Sequence, residues 1–456
     1  MAVVLQFVNI EGLIRERFLD LVHVSDTCAL TLKNKVIAVL VHNGLNVQDI
    51  RGQGYDGASN MRGEWNGLKA LILQECPYAY YIHCLAHQLQ LALVAASREV
   101  NEVHNFFQHA NFVVNTVSAS PKRNDELLEN QATEIAREIE LGELDTGRGA
   151  NQIGSLQRAR GDAAGALKIL NTFDFVFIVH LMERIMKITD ILCVKLQNKS
   201  LDIANALDCV SNTKSLLAEL REDGWESLFE DVKSFCVKHD IDIPDMDQRY
   251  VDVTKSRNKH DNTTVIHHYK VDVFNVAIDQ QLIELNDRFS SQVTELLDLC
   301  SSLDPRHYAF DKSKICTLVE KFYPADFSSQ ERDRLECELP HFQLDTFNHP
   351  EIKNCKSLAD MTKGIIKIDK SSDYPMVERL LRLVITLPVS TATAERAFSV
   401  MKLVKTRLRS KLGDDFLRHC TIVYIEKEIA AKFSSDDIIE IFDTGAHKSS
   451  SKLIDM

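Results

Sequence analysis

The spacing of apolar residues changes once along this 456-residue chain, and that change restricts the fold more than any single motif does. Up to about residue 86, short apolar runs alternate with turn signals. Ala2 to Val8 is a β-rich run, Asn9-Ile10-Glu11-Gly12 reads as a turn, and Leu13 to Val24 opens with the alternation of a paired strand, so a hairpin is predicted. Ser25 and Asp26 precede a helical stretch from Leu30 to Leu40 that Asn43-Gly44 closes. A short strand near Gln48 to Gly52, a helix over Gly67 to Gln74 and a buried strand over Ala79 to His83 complete a β-β-α-β-α-β order. That order belongs to mixed α/β folds.

From His87 onward the spacing is helical, as in Val103, Phe106, Phe107, Ala110, Val113, Val114 and Val117. A polar, Gly-bearing stretch from Ser118 to Ala164 is expected to be a connection. Helices are predicted over Phe173 to Gln197, Leu201 to Leu220 and Trp225 to His239. Asp240 to Tyr269 is loop-like, and its Ser256-Arg257-Asn258-Lys259-His260 cluster reads as a solvated turn. Val271, Phe274, Ile278, Leu282, Leu285, Phe289, Val293, Leu296 and Cys300 mark one core-facing side of a single long helix. Two more helices are predicted, over Thr391 to Arg409 and Asp415 to Ala430, before a fraying tail.

A chain of this length exceeds what one hydrophobic core holds, so two or three domains are expected. Eleven cysteines without a C-x-x-C pair fit a reducing compartment and argue against a disulfide scaffold or a zinc finger. Met1 to Val8 is too short for a secretory h-region, and no apolar run reaches membrane-spanning length, so neither secretion nor a membrane span is expected. The net charge of -13 repels phosphate backbones, so any nucleic-acid contact must be local. Between Pro375 and Ala430, ten Lys and Arg stand against six Asp and Glu, which makes this segment the exception.

Three clusters carry candidate chemistry. Asp56 lies in Gly-Gln-Gly-Tyr-Asp-Gly-Ala-Ser-Asn-Met after a predicted strand, where flanking glycines let the backbone turn and leave the carboxylate exposed. Strand ends of this kind hold ligands in α/β sheets, and a two-metal phosphoryl site needs several converging carboxylates. An Asp beside Gly is equally a turn former. His83-Cys84-Leu85-Ala86-His87 sets a thiol and an imidazole one turn apart. It lacks a second ligand pair for zinc, and packing or site-shaping is the expected role. In Leu387-Pro388-Val389-Ser390-Thr391-Ala392-Thr393-Ala394-Glu395-Arg396-Ala397-Phe398-Ser399, Ser390 suits an N-cap. Glu395 would face a site or simply complement the helix dipole, while Phe398 and Met401 would face the core.

The three clusters, in this order and with over three hundred residues between the second and third, resemble the hAT transposase-like proteins, in particular the zinc-finger MYM-type and TTF-type kinds. The resemblance covers nearly the whole chain to about Glu428. It implies an α/β RNase H-like core interrupted by a large all-α helical insertion, with a C-terminal helical dimerisation region that completes the core. The implied division is 1–117 for a partial core, 118–165 for a linker and deletion junction, 166–370 for the helical insertion, 371–432 for the dimerisation region and 433–456 for a flexible tail. Asp56 and Glu395 match the family's second and third metal-binding acids, and Cys84 and His87 match its C-x-x-H element. Ala394, Phe398, Met401, Val404, Leu417 and Val423 fall on the helix faces that a dimer would bury. Lys402, Lys405, Arg407, Arg409 and Lys411 are the candidate DNA contacts.

The chain departs from the family pattern in three places. The first acidic residue belongs to an opening strand expected upstream of Met1, which leaves two sheet edges without their partner. The Arg-Trp element is replaced by Leu156-Gln157-Arg158-Ala159-Arg160 running into Gly161, with no Trp before Trp225, as an internal deletion would leave it. The N-terminal zinc module is not present in the sequence. The expectation is therefore a nuclear, or alternatively cytoplasmic, transposase-like protein that is catalytically incomplete. It would pair with itself or with full-length relatives, would contact DNA weakly and would need no cofactor. The alternatives are a magnesium-dependent transposase-type phosphoryl transferase, with Asp56 and Glu395 holding the metal, and a decayed gene copy.

Overall fold

The computed structural model describes residues 1–118, 159–198, 201–251, 263–290, 294–304, 306, 310–405, 413–436 and 438–439. Among the described residues it is mostly helical, with four strands in two small sheets. The chain forms two compact units. The first comprises Met1–Gln88, Cys193–Cys209 and Ser290–Met456, and the second Leu89–Leu192 and Val210–Phe289. The helical stretch 166–370 is thus shared between both.

The chain opens with the predicted hairpin. β1 (Ala2–Val8) pairs antiparallel with β2 (Ile14–Leu21), and Gly12 takes a positive φ of 75° in the turn. α1 (Ala29–His42) follows and is closed at Asn43. A 3-10 turn at Val47–Asp49 occupies the position expected for a strand, and β3 forms later, at Gly52–Tyr55. Asn46 draws the chain into that turn because its side chain accepts the N–H of Gln48. After α2 (Ser59–Arg62) and α3 (Leu68–Glu75), β4 (Tyr80–His83) pairs parallel with β3, Gly52 opposite Tyr80 and Tyr55 opposite His83. Two parallel strands alone are marginal. Leu32, Leu68, Ile72, Cys76 and Ala79 pack a buried core around α1 and α3.

α4 (Leu85–Glu99) leads into the second unit, which holds α5 (Asn101–Ser118), α6 (Ala159–Leu170), most of α7 (Phe173–Leu196) and of α8 (Ile203–Lys238), the single turn α9 (Val265–His267), a π-helix at His268–Asn275 and α10 (Val276–Ser290). Its core is aromatic. Trp225 stacks on Phe229 at 5.3 Å and meets the edge of Phe274, while Phe177 packs against Trp225 and Tyr269. Two predicted helices are here the single α8, and Gly224 inside it explains why. A Cβ there would sit 2.5 Å from Leu220 Cδ1 and 3.6 Å from the Phe274 ring, so the glycine serves close packing rather than a break. The predicted helix from Val271 to Cys300 is divided into the π-helix, α10 and α11 (Thr294–Ser301), with 291–293 outside the described residues. Of the expected connection from Ser118 to Ala164, residues 119–158 lie outside the described residues, and Ala159 already begins a helix.

The return to the first unit runs through α12 (Lys312–Phe322), α13 (Ser329–Asn348), α14 (Pro350–Lys353), α15 (Leu358–Lys367), α16 (Pro375–Ile385), α17 (Ala392–Val404), α18 (Asp414–Ile425) and α19 (Lys427–Ala430). A reciprocal Ser328–Glu331 capping box starts α13. Buried Glu338 accepts the N–H groups of Met376 and Val377 at 2.9 and 3.2 Å and so caps α16 from a distant helix. These C-terminal helices fold onto the N-terminal hairpin. Asp20 on β2 is held by Arg418 of α18, and Glu426 accepts from Arg17 at 3.2 Å and from the Phe18 N–H at 2.7 Å. Arg382 donates to the Asn9 carbonyl at 2.7 Å. The two ends of the chain therefore share one fold.

Candidate functional site

The segment from Ile385 to Thr391 lies against both sheets. On one side the Gln6 amide of β1 donates to the carbonyls of Ile385 and Leu387 at 3.3 and 3.4 Å. On the other, the Pro388 ring covers the glycines of β3, where a Cβ on Gly52 or Gly54 would lie 2.6 or 2.9 Å from it. The glycines of Gly-Gln-Gly are therefore needed for close approach of this proline. Gln53 points the other way, its amide donating to the Ala79 carbonyl at 2.8 Å.

Asp56 follows β3 and its side chain is exposed. Its Oδ1 accepts the Ala58 N–H at 3.3 Å, the geometry of a turn former, and the Tyr81 hydroxyl donates to its carbonyl at 3.1 Å. Burial, and after it the Asp56 charge, pushes the Tyr81 phenol up to about 12, so it stays a donor at neutral pH. Gly57 sits against His83, whose ring would be 2.7 Å from a Cβ there. His83 stacks beside Tyr81 and lies 5.7 Å from the His87 ring.

Cys84 is buried, and its Sγ accepts the Thr391 N–H at 3.2 Å. One residue on, the Leu85 N–H donates to the Val389 carbonyl at 3.0 Å. These bonds fasten the start of α4 to the start of α17. The Ser390 hydroxyl accepts the Ala392 N–H at 3.1 Å, while the cap residue itself is Thr391. The Thr391 hydroxyl donates to Glu395 at 3.3 Å, and the Thr393 hydroxyl donates to Glu16 of β2. Thr391 thereby links the first turn of α17, which carries Glu395, to Cys84 at the end of β4, while Asp56 follows the paired end of β3. Among the described residues, no group of three or more His, Cys, Asp or Glu side chains is placed to hold a metal ion. Glu16, Tyr81 and the two threonines did not emerge from sequence. The Thr391 N–H and the Thr393 hydroxyl meet Cys84 and Glu16, 307 and 377 residues away, beyond any local spacing signal.

Ala397 and Val404 form the buried side of α17, and Phe398, expected in the core, is 42% exposed because it projects about 100° round the helix from Ala397. Ala394 and Met401 are half-buried, while Val404 and Leu417 are enclosed within the chain. Val423 is exposed, and with Phe416 and half-buried Cys420 it forms an i, i+4, i+7 stripe on α18, about 100° round the helix from buried Leu417 and Thr421. Leu403 and Tyr424 are exposed as well. Lys402 and Lys405 are exposed near the end of α17, and Arg407, Arg409 and Lys411 lie outside the described residues. Among the described residues no helix is long and apolar enough to cross a membrane.

Comparison with known proteins places families at both ends. Residues 1–67 match the RNase-like domain of the ZMYM1/FAM200 kind, and residues 359–429 match the hAT family C-terminal dimerisation region. The human "52 kDa repressor of the inhibitor of the protein kinase" is 23% identical over 465 residues, an alignment that covers 94% of this chain and 59% of the relative. The chain thus spans under two thirds of that relative's length. An RNase-like segment and a hAT dimerisation segment, folded within one unit, make the chain similar to hAT transposase-like proteins at both of its ends.

Proposed function

We propose that this protein works by self-association through its C-terminal region, in the nucleus, as a transposase-like protein that has given up catalysis. The observation that carries the reading is the stripe of Phe416, Cys420 and Val423 on α18, inside the segment that matches a dimerisation region. Phe416 and Val423 are 59% and 58% exposed. Burying the part of each that is still exposed is worth about 1–2 kcal/mol. A two-fold contact uses the same stripe twice.

The catalytic reading is weaker on chemistry. Asp56 is engaged in its own turn and Glu395 with its own helix cap, and two carboxylates are a poor clamp for a two-metal site. A retained activity would be a magnesium-dependent phosphoryl transfer using Asp56 and Glu395. We read the RNase-like segment instead as an RNase H-like scaffold that supports the C-terminal helices. Lys402 and Lys405 give the basic C-terminal segment a place to meet DNA phosphates. The human relative's name as a repressor fits a nuclear, protein-binding role.

Light scattering of the full chain over a concentration series tests this. A dimer that dissociates on dilution, and that Phe416→Asp with Val423→Asp converts to monomer without loss of helical circular dichroism, is expected. A folded wild-type chain that stays monomeric at high micromolar concentration would overturn the reading.

A further inference from the structure

Trp65 is 82% exposed, whereas the chain's other tryptophan, Trp225, is 4% exposed in the aromatic core of the second unit. An indole left in water forgoes a large apolar contact area, so its placement calls for a reason. It sits at the tip of the five-residue loop Gly63-Glu64-Trp65-Asn66-Gly67, on the same connection between β3 and α3 that carries Asp56.

The loop is built tightly. The Gly67 N–H donates to the Gly63 carbonyl at 3.1 Å, and the Gly63 N–H donates to the Ser59 carbonyl at 3.1 Å. The two glycines lie against each other: a Cβ on Gly63 would be 3.2 Å from the Gly67 nitrogen, and one on Gly67 would collide with the Gly63 backbone. The Gly67 carbonyl then accepts the Leu71 N–H at 3.1 Å, which joins the loop to α3. A short clasp of this kind holds Trp65 out with little freedom to fold back.

The neighbours of the indole decide what it fits. From residue 46 to residue 93, all described, Trp65 is the one exposed large apolar side chain. A protein-binding hot spot sits within a ring of apolar contacts that excludes water. Trp65 instead follows exposed Arg62 and is flanked in sequence by exposed Glu64 and Asn66, with the Lys69 ammonium over the Tyr81 ring at 5.6 Å. A lone exposed ring with Arg62, Asn66 and one carboxylate, Glu64, beside it in sequence suits a nucleobase, which stacks on one face and leaves its edges and phosphate to polar groups.

We propose that Trp65 is a stacking platform for an unpaired base of single-stranded DNA. This rests on the reading of the chain as a nucleic-acid-contacting protein. A base inside a duplex is already stacked on both faces, so the platform discriminates single strands and frayed ends from paired DNA.

The test is fluorescence anisotropy of a labelled twelve-residue oligothymidylate, and of a duplex of the same length, with the full chain as wild type, Trp65→Ala and Trp65→Phe. The wild type is expected to prefer the single strand. Trp65→Ala should weaken single-strand binding about tenfold to a hundredfold, the fold-change of one lost base–aromatic stack, while Trp65→Phe should recover most of it. The wild type's tryptophan emission should fall on binding, and that of Trp65→Ala should not. Single-strand affinity unchanged in Trp65→Ala, with no quenching in the wild type, overturns the stacking role while leaving the nucleic-acid reading standing. No binding of either DNA by the wild type overturns both.

Discussion

Replacing Arg418 by Met tests whether the two ends of the chain truly form one folded unit. Arg418 makes a two-pronged contact from α18 to Asp20 on β2, with Nη2 2.8 Å from Oδ2 and Nε bonded to Oδ1. The Asp20 side chain is 7% exposed and that of Arg418 is 30% exposed. Removing one partner of a fully buried pair costs about 3–5 kcal/mol, since the other charge is left without compensation. Arg418 stands partly in solvent, so the cost here is expected nearer 2–3 kcal/mol. Asp20 also accepts the Leu21 N–H at 2.7 Å and interacts with the Met1 ammonium, which together keep part of its compensation and hold the cost below that of a fully stranded charge. Removing both charges with Asp20→Asn and Arg418→Met should restore about 1–2 kcal/mol, because two neutral groups leave no stranded carboxylate. Hydrogen exchange by mass spectrometry on the full chain reads the effect locally. Peptides covering residues 14–21 and 414–425 should both exchange about 30- to 150-fold faster in the single variant, the factor that 2–3 kcal/mol of opening free energy corresponds to. If only the α18 peptide responds, or if the cycle shows no coupling, the hairpin and the dimerisation helices are independent and the reasoning fails.

Glu338→Ala removes the carboxylate that caps α16 and should destabilise the first unit by about 1.5–3 kcal/mol, read as faster exchange over residues 375–385. Gly54→Ala places a methyl 2.9 Å from the Pro388 ring, and the strain of about 1–3 kcal/mol should appear as faster exchange in β3 and in 385–391 together. Glu331 is held down to about 2 by the Ser328 N–H first and then by Arg379, from an ordinary value of 4.5. A depressed carboxylate stabilises the fold above its unfolded pKa and loses that effect as pH falls through the folded one, so the start of α13 should loosen between pH 4.5 and about 2. A pH series of exchange over residues 328–335 checks this, and Glu331→Gln should abolish the dependence.

Elements whose signals are local were readable in advance. The hairpin announces itself through Asn9 to Gly12, and α7 through an unbroken helical period from Phe173. Gly224 misled because a glycine in a helical pattern reads as a stop, and only the neighbouring Leu220 and Phe274 reveal it as a packing site. The β3 strand slid by a few residues for a similar reason. Gly52 and Gly54 carry no strand preference of their own and are strand residues because β4 and Pro388 lie against them. At the candidate site, the exposure of Asp56 and the packed state of Cys84 follow from residue type and local pattern. The Cys84–Thr391 and Glu16–Thr393 bonds do not, since each joins segments more than three hundred residues apart. Phe398 failed as a core residue because α17 buries its Ala397 and Val404 side, a choice set by the hairpin it packs on rather than by its own period.

The long-range bonds also bear on how the surface stripe and the site communicate. β2 offers Glu16 to Thr393 on α17, and Arg17, Phe18 and Asp20 to residues at Arg418 and Glu426 on and just after α18. Within two turns of Thr393 stands Glu395, and on the outer side of α18 stands the stripe of Phe416 and Val423. A partner that docks on that stripe therefore presses on the same helix whose inner side anchors β2, and β2 in turn holds the entry of α17. Coupling through packed, ion-paired elements requires that the elements move as units, and a buried Asp20 held on both oxygens resists independent sliding of α18 over β2. The surface proposed for self-association is thus one that the N-terminal segment helps to build. A C-terminal fragment cut at residue 359 would lack β2 and with it the partners of Arg418 and Glu426, which leaves α18 without the sheet that orients its apolar stripe.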